Sequence, residues 1–192
     1  QLVLIVTVDS DISVGGRIVN FFSYFTILSN ILVAITFTVA ALGVNGAFGR
    51  FFSRPPVQSG IALYISVTGL VYFFVLRTIW APEGWAFVAD ALLHYATPLL
   101  YVGFWLVFVR KGTLRLSTIP WMLAFPVVYA IYSLTRGPIV DWYPYPFLNV
   151  AEHGGGQVAV NVVAMLIGFI ILAAIYVGLD RLLGGRMRPA AT

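Results

Sequence analysis

The sequence predicts an all-α fold, a polytopic transmembrane helix bundle, and three observations carry that prediction. Of 192 residues, 60% are apolar and 9% charged, with a mean hydropathy of +0.95. A soluble domain carries roughly 25% charge, so the charges here are too few to coat a water-exposed globule. The apolar residues also fall in runs close to the ~20 residues a helix needs to cross the hydrocarbon core. Period-2 alternation is absent and the runs are too long for barrel strands, which leaves helices as the only spanning element.

Five complete spans are expected: Ile18 to Val44, Ser59 to Trp80, Trp85 to Val109, Ile119 to Leu134 and Val158 to Leu179. They form one transmembrane domain over residues 1–192, with an outer loop at 135–157 and a cytoplasmic tail at 180–192. The opening LVLIVTV is too short to span and reads as the tail of a sixth, amino-terminal helix. Pro98 and Pro126 fall mid-span, where a missing N–H and a ring clash kink a helix and open space beside it. In the outer loop, Tyr143, Pro144, Tyr145 and Pro146 favour extended or turn backbone, and Gly154 to Gly156 allow a tight re-entry into the last helix. That segment is either a lid over the outer face or a simple interfacial loop.

Orientation follows the positive charges. One side carries Arg50, Arg54, Arg110, Lys111, Arg115, Arg181, Arg186 and Arg188, with Asp180 the only acid. The other carries Arg17, Arg77 and Arg136 among Asp9, Asp11, Glu83, Asp141 and Glu152. The first side, and the carboxyl terminus with it, is therefore expected in the cytoplasm. Trp80, Trp85 and Trp142 at outer span ends, and Trp105 and Trp121 near inner ones, suit an aromatic belt. The net charge of +4 is scattered over span ends and forms no nucleic-acid patch. Without cysteine there is no disulfide, thiolate nucleophile or zinc-thiolate site.

Polar groups in hydrocarbon are costly, and so they mark cavities or partners. Asn20, Ser23, Thr26 and Asn30 recur at helical spacing on the first span, as do Asp90, His94, Thr97 and Tyr101 on the third. Both helices enter from the outer side, which puts Thr26 and His94 at a matched depth of roughly 12–14 Å. A hydroxyl, an imidazole and, one turn above it, a carboxylate follow the logic of an activated nucleophile: Thr26 attacks, His94 is the base and Asp90 orients the ring. Asn30, Asn161 or Tyr72 would steady an oxyanion. Ser23, Thr97, Tyr101, Tyr129, Tyr132, Arg77, Arg136, Tyr145 and Phe147 are candidates for an outer-half substrate pocket or its lid. Plainer readings stand beside these: Ser, Thr and Asn as interhelical packing groups, His94–Asp90 as a structural pair, and Arg77 and Arg136 as snorkelling anchors. His153 sits in a distant loop without ligand spacing, so no metal is expected. A proton or ion pathway would need ionisable residues in the inner halves, and these are lacking.

The runs NFFSYFTILSN, LYISVTGLVYFFVLR, ADALLHYATPLLY, SLTRG and WYPYPFLNV resemble the bacterial six-helix relatives of the androgen-induced-gene membrane family, over about Gly15 to Leu183. The animal members are threonine hydrolases of fatty acid esters of hydroxy fatty acids, and one relative regulates tissue factor pathway inhibitor. The resemblance implies that Thr26 matches the family's nucleophile, His94 its histidine, and Tyr145, Pro146, Phe147 and Leu148 its loop motif. Two departures bear on pocket shape: the animal pattern's second histidine is Ala91 here, and Pro98 follows His94 one residue early. The expected activity is hydrolysis of lipid carboxylic esters in a bacterial plasma membrane, without metal or organic cofactor. The expected partners are a lipid or acyl-ester substrate and the bilayer. The rival reading is a non-catalytic lipid-binding or transport protein using the same pocket.

Overall fold

The computed structural model describes residues 12–186. The LVLIVTV stretch, Asp9, Asp11 and Arg188 lie outside the described residues. Every regular element described is helical. In chain order these are α1 (Val14–Phe22), α2 (Phe25–Leu42), α3 (Gly46–Phe52), α4 (Pro55–Phe74), α5 (Gly84–Ala91), a π-helical turn (Leu92–Ala96), α6 (Thr97–Phe108), α7 (Ile119–Val140) and α8 (Val150–Arg186), with short 3-10 turns at Leu76–Thr78, Leu116–Thr118 and Pro146–Leu148. Five helical segments are long and apolar enough to cross a membrane: Phe25–Leu42, Pro55–Thr78, Gly84–Phe108, Leu116–Val140 and Val150–Gly185. The chain is therefore read as an integral membrane helix bundle.

α4 is the central helix and packs against α2, α6, α7 and α8. Its Ala62, Leu63 and Ile65 are fully buried. The other spans turn large apolar side chains outward, among them Leu99, Trp121 and Ile139, each more than 70% exposed. Such a surface suits lipid and would be costly in water.

The expected first span is not one helix. α1 ends at Phe22 with Ser23 as its C-cap, Tyr24 is extended (φ −79°, ψ 129°), and α2 starts at Phe25. In an unbroken helix the Ser23 carbonyl would accept from the amide four residues on. Here the Tyr129 hydroxyl donates to it at 3.0 Å. The Ser23 hydroxyl lies 2.7 Å from Tyr132 Oη and also donates to the Val19 carbonyl at 2.7 Å. Two tyrosines of α7 thus hold the break open. Asn20 and Ser23 belong to α1, while Thr26 and Asn30 belong to α2, so the four residues are not one helical face.

On the third span the π-helical turn immediately precedes Thr97 and Pro98. A π turn re-aims the backbone where a proline cannot supply an N–H, and it carries His94. The expected outer loop is much shorter than 135–157. α7 continues to Val140 with Pro138 in its last turn, and α8 starts at Val150 and breaks at Gly154 (φ 74°). The intervening segment, residues 141–149, packs back on α7, with the Tyr143 ring lying where a side chain on Gly137 would be.

The carboxyl end also differs from expectation. α8 runs through Asp180 to Arg186, and Asp180 is buried. Its Oδ2 accepts from the amides of Thr113 and Leu114 at 2.8 Å each, and its carbonyl accepts from Gly112 at 3.0 Å. Lys111 is buried too. Its Nζ donates to the carbonyls of Trp105 and Val109 and sits 4.1 Å from the Trp105 ring. Trp105 is therefore a core residue and not part of an aromatic belt: it is fully buried and donates to Ser59 Oγ at 2.7 Å.

Candidate active site

The helix break decides the environment of Thr26. As the second residue of α2, Thr26 is in the first turn, where backbone N–H groups have no acceptor within their own helix. Its N–H donates instead to Tyr145 Oη at 3.1 Å, and the same phenol oxygen lies 3.2 Å from Thr26 Oγ1. On another side, His94 Nε2 lies 3.4 Å from Oγ1, the long edge of a hydrogen bond. Nucleophile and base are often this loosely spaced before a ligand draws them together.

The far side of the imidazole sets its tautomer. His94 Nδ1 lies 3.0 Å from the Asp90 carbonyl and 3.1 Å from Asp90 Oδ1. Both partners accept, so Nδ1 carries the hydrogen and Nε2 presents its lone pair to Thr26. The Tyr72 ring stacks on the imidazole, with centroids 4.1 Å apart and planes 16° apart. Gly69 lets α4 come this close, because a Cβ there would meet the His94 carbonyl and Pro98 at 3.3 Å.

The three expected oxyanion donors are occupied elsewhere. Asn30 Nδ2 donates to the carbonyls of Thr26 (2.8 Å) and Leu93 (3.3 Å), tying α2 to the π turn. Asn161 Nδ2 donates to the Phe147 carbonyl at 2.9 Å and so anchors the 141–149 segment. Tyr72 stacks on His94 and its hydroxyl is hydrogen-bonded to Asp90. The remaining candidates spread over the bundle. Ser23, Tyr129 and Tyr132 build the helix break. Arg136 donates to Asn20 Oδ1 at 2.6 Å and lies 5.3 Å from the Trp142 ring, so it ties α7 to α1. Arg77 lies over Phe73 at 3.7 Å. Thr97 is half-buried on α6. Tyr101 is fully buried and donates to the Gln58 carbonyl at 3.4 Å, near the other end of α4.

Tyr145 is the residue whose position the sequence did not reveal. It is buried and fixed by a parallel stack on Phe147 (5.3 Å, 6°) and an edge contact with Tyr24 (5.8 Å). Burial pushes its phenol up to about 12, so it stays a proton donor at neutral pH. Its two flanking prolines were the available signal, since they hold the backbone extended without showing which way the ring turns.

Thr26 and Tyr145 face a cavity of about 70 Å³, walled also by Phe25, Tyr129, Pro126 and Phe169. Its lining includes no charged residue. A wider groove of about 330 Å³ runs between α4 and α8 past Leu70, Gly168 and Ile175, and shares Val67, Val71, Met165 and Phe169 with the cavity. His94 is not part of either wall. The site can therefore present a hydroxyl, an imidazole behind it and a phenol beside it to an uncharged, hydrocarbon-lined cavity. No family model, curated protein or solved structure matches the chain.

Proposed function

We propose that this protein is an intramembrane hydrolase of lipid carboxylic esters, fatty acid esters of hydroxy fatty acids or similar, with Thr26 as nucleophile and His94 as base. The observation that carries the reading is the relay from Thr26 Oγ1 to His94 Nε2 (3.4 Å) and from Nδ1 to Asp90 (3.0 and 3.1 Å), at the edge of an uncharged cavity. The resemblance of the surrounding runs to the androgen-induced-gene membrane family supports it. So does the groove between α4 and α8, which offers an acyl chain a hydrocarbon environment continuous with the cavity.

In the first half-reaction Thr26 Oγ1 bonds to the ester carbonyl carbon while its proton passes to His94 Nε2. The carbonyl pair moves onto oxygen. When it returns, the bond to the leaving alkoxide breaks and His94 delivers its proton there. Water then attacks the acyl-threonine by the same route, with His94 again the base. Asp90 holds Nδ1–H throughout. The excess of arginine at the opposite end of the bundle supports a bacterial plasma-membrane location with the carboxyl terminus in the cytoplasm.

The test measures product release from a branched fatty acid ester of a hydroxy fatty acid by the full chain in detergent, comparing wild type with Thr26→Ala and His94→Ala. Turnover by wild type alone, with both variants folded, is the expected result. Equal release by all three removes the pair from catalysis and favours lipid binding without chemistry, for which Thr26→Ala would only weaken ligand retention.

A further inference from the structure

We propose that Tyr145 is a catalytic residue whose hydroxyl, together with the Thr26 backbone N–H, forms the oxyanion hole of this site. The inference rests on the ester-hydrolase reading and adds to it the group that receives the developing charge.

An oxyanion forms on the oxygen of the carbon that Thr26 Oγ1 attacks, so its donors must lie within hydrogen-bond reach of that hydroxyl. Two donors meet this condition. One is the Thr26 N–H, left without a helical acceptor by the break at Ser23–Tyr24. The other is the Tyr145 O–H, whose oxygen stands 3.2 Å from Oγ1. The N–H donates to the phenol oxygen at 3.1 Å, so the two groups are neighbours on one side of Oγ1. In the resting site Tyr145 Oη accepts the Thr26 N–H, which leaves the phenol hydrogen free to turn elsewhere. A carbonyl oxygen entering from the cavity replaces Tyr145 as the acceptor of that N–H and receives the phenol hydrogen as well. Both groups line the cavity, whereas His94 lies outside it, so charge and proton are handled on different sides of Thr26.

The phenol is also held in place. Phe147 stacks on the phenol ring and Asn161 holds the Phe147 carbonyl, so the segment that delivers Tyr145 is fixed at two points. Asn30, Asn161 and Tyr72 have their donors or rings engaged elsewhere. The N-terminal end of α2 adds its positive dipole to the same spot.

The test uses the full chain in detergent, an ester substrate, and a long-chain alkyl trifluoromethyl ketone, which forms a tetrahedral adduct with a hydroxyl nucleophile and is read by fluorine NMR. Wild type should show the adduct and Thr26→Ala should not. Tyr145→Phe, which keeps the stacked ring, should lower kcat by about 10²–10³ with KM little changed, and should weaken the adduct. Unchanged kcat and adduct in Tyr145→Phe overturn the proposal while leaving the hydrolase reading in place. No adduct and no turnover in wild type overturn both. Should Tyr145→Phe unfold, a fluorinated tyrosine at position 145 serves instead. Its more acidic phenol should move the high-pH loss of kcat to lower pH, since a phenolate cannot donate, and an unmoved limb refutes the role.

Discussion

The Tyr129 hydroxyl donates to the Ser23 carbonyl at 3.0 Å, and this contact between residues 106 positions apart lies at the helix break that precedes Thr26. It occupies a carbonyl that in a continuous helix would accept from Ile27. Thr26 lies in the first turn of α2, and its amide, which a continuous helix would pair with the Phe22 carbonyl, donates to Tyr145 Oη instead.

Tyr129→Phe tests this relationship. The change leaves a buried carbonyl without its partner and should cost about 1–3 kcal/mol of stability. It should also lower ester turnover as far as 10²-fold, because small displacements of a nucleophile are expensive. Thermal unfolding in detergent and kcat measured together check it: stability loss with full activity would show that the break does not position Thr26.

Asp90→Asn should be milder than His94→Ala. The Asp90 main-chain carbonyl also accepts from His94 Nδ1, at 3.0 Å, so the variant keeps one of the two groups that hold the ring. A loss in kcat of about 10-fold is expected, against 10² or more for removal of the base. Equal losses would mean that the carboxylate alone orients His94.

Gly168→Leu should change which esters are accepted. Gly168 lines the groove between α4 and α8, and a Cβ there meets nothing within 4 Å, so the larger side chain enters the groove without displacing the helices. kcat/KM for long acyl chains should fall about tenfold or more and short chains should be spared. A chain-length series measures this, and a uniform fall would place the acyl chain elsewhere.

The buried Lys111 predicts a pH dependence of stability. Burial lowers the Lys111 ammonium below the ordinary lysine value of 10.5, against the opposing pull of Asp180. A folded-state value below the unfolded one means that the unfolded chain binds more protons between the two. Lys111 therefore makes stability rise with pH in that window. The buried phenols of Tyr24 and Tyr145 are shifted upward from 10.0 and act in the opposite sense above it. Chemical unfolding of wild type and Lys111→Met at pH values below 10 should show the rise in wild type and its loss in the variant.

How much of this was legible beforehand depends on the range of the interaction. The helical spans were legible because the length of an apolar run and the thickness of hydrocarbon are both local quantities. Thr26 and His94 could be singled out together because depth follows from residue count, and the structure puts them 3.4 Å apart. Ser23 carries no glycine or proline to mark a break; its cause is a pair of tyrosines on another helix. Thr135 to Val140 fall in the expected outer loop, yet they continue α7, and Gly137 is the smooth surface on which the Tyr143 ring rests. Trp105 and Asp180 read as interfacial from their positions in the sequence. They are core residues because Ser59 and the 112–114 backbone supply them with hydrogen-bond partners.

By itself, then, the sequence determined a membrane-spanning all-α bundle and the polar residues its hydrocarbon must accommodate, because hydropathy and helical period are properties of a segment alone. The break before Thr26, the stacking of Tyr72 on His94 and the approach of Tyr145 were decided only in the tertiary structure. Each is a hydrogen bond or ring contact whose geometry follows from helix packing and backbone course, and no local pattern encodes it.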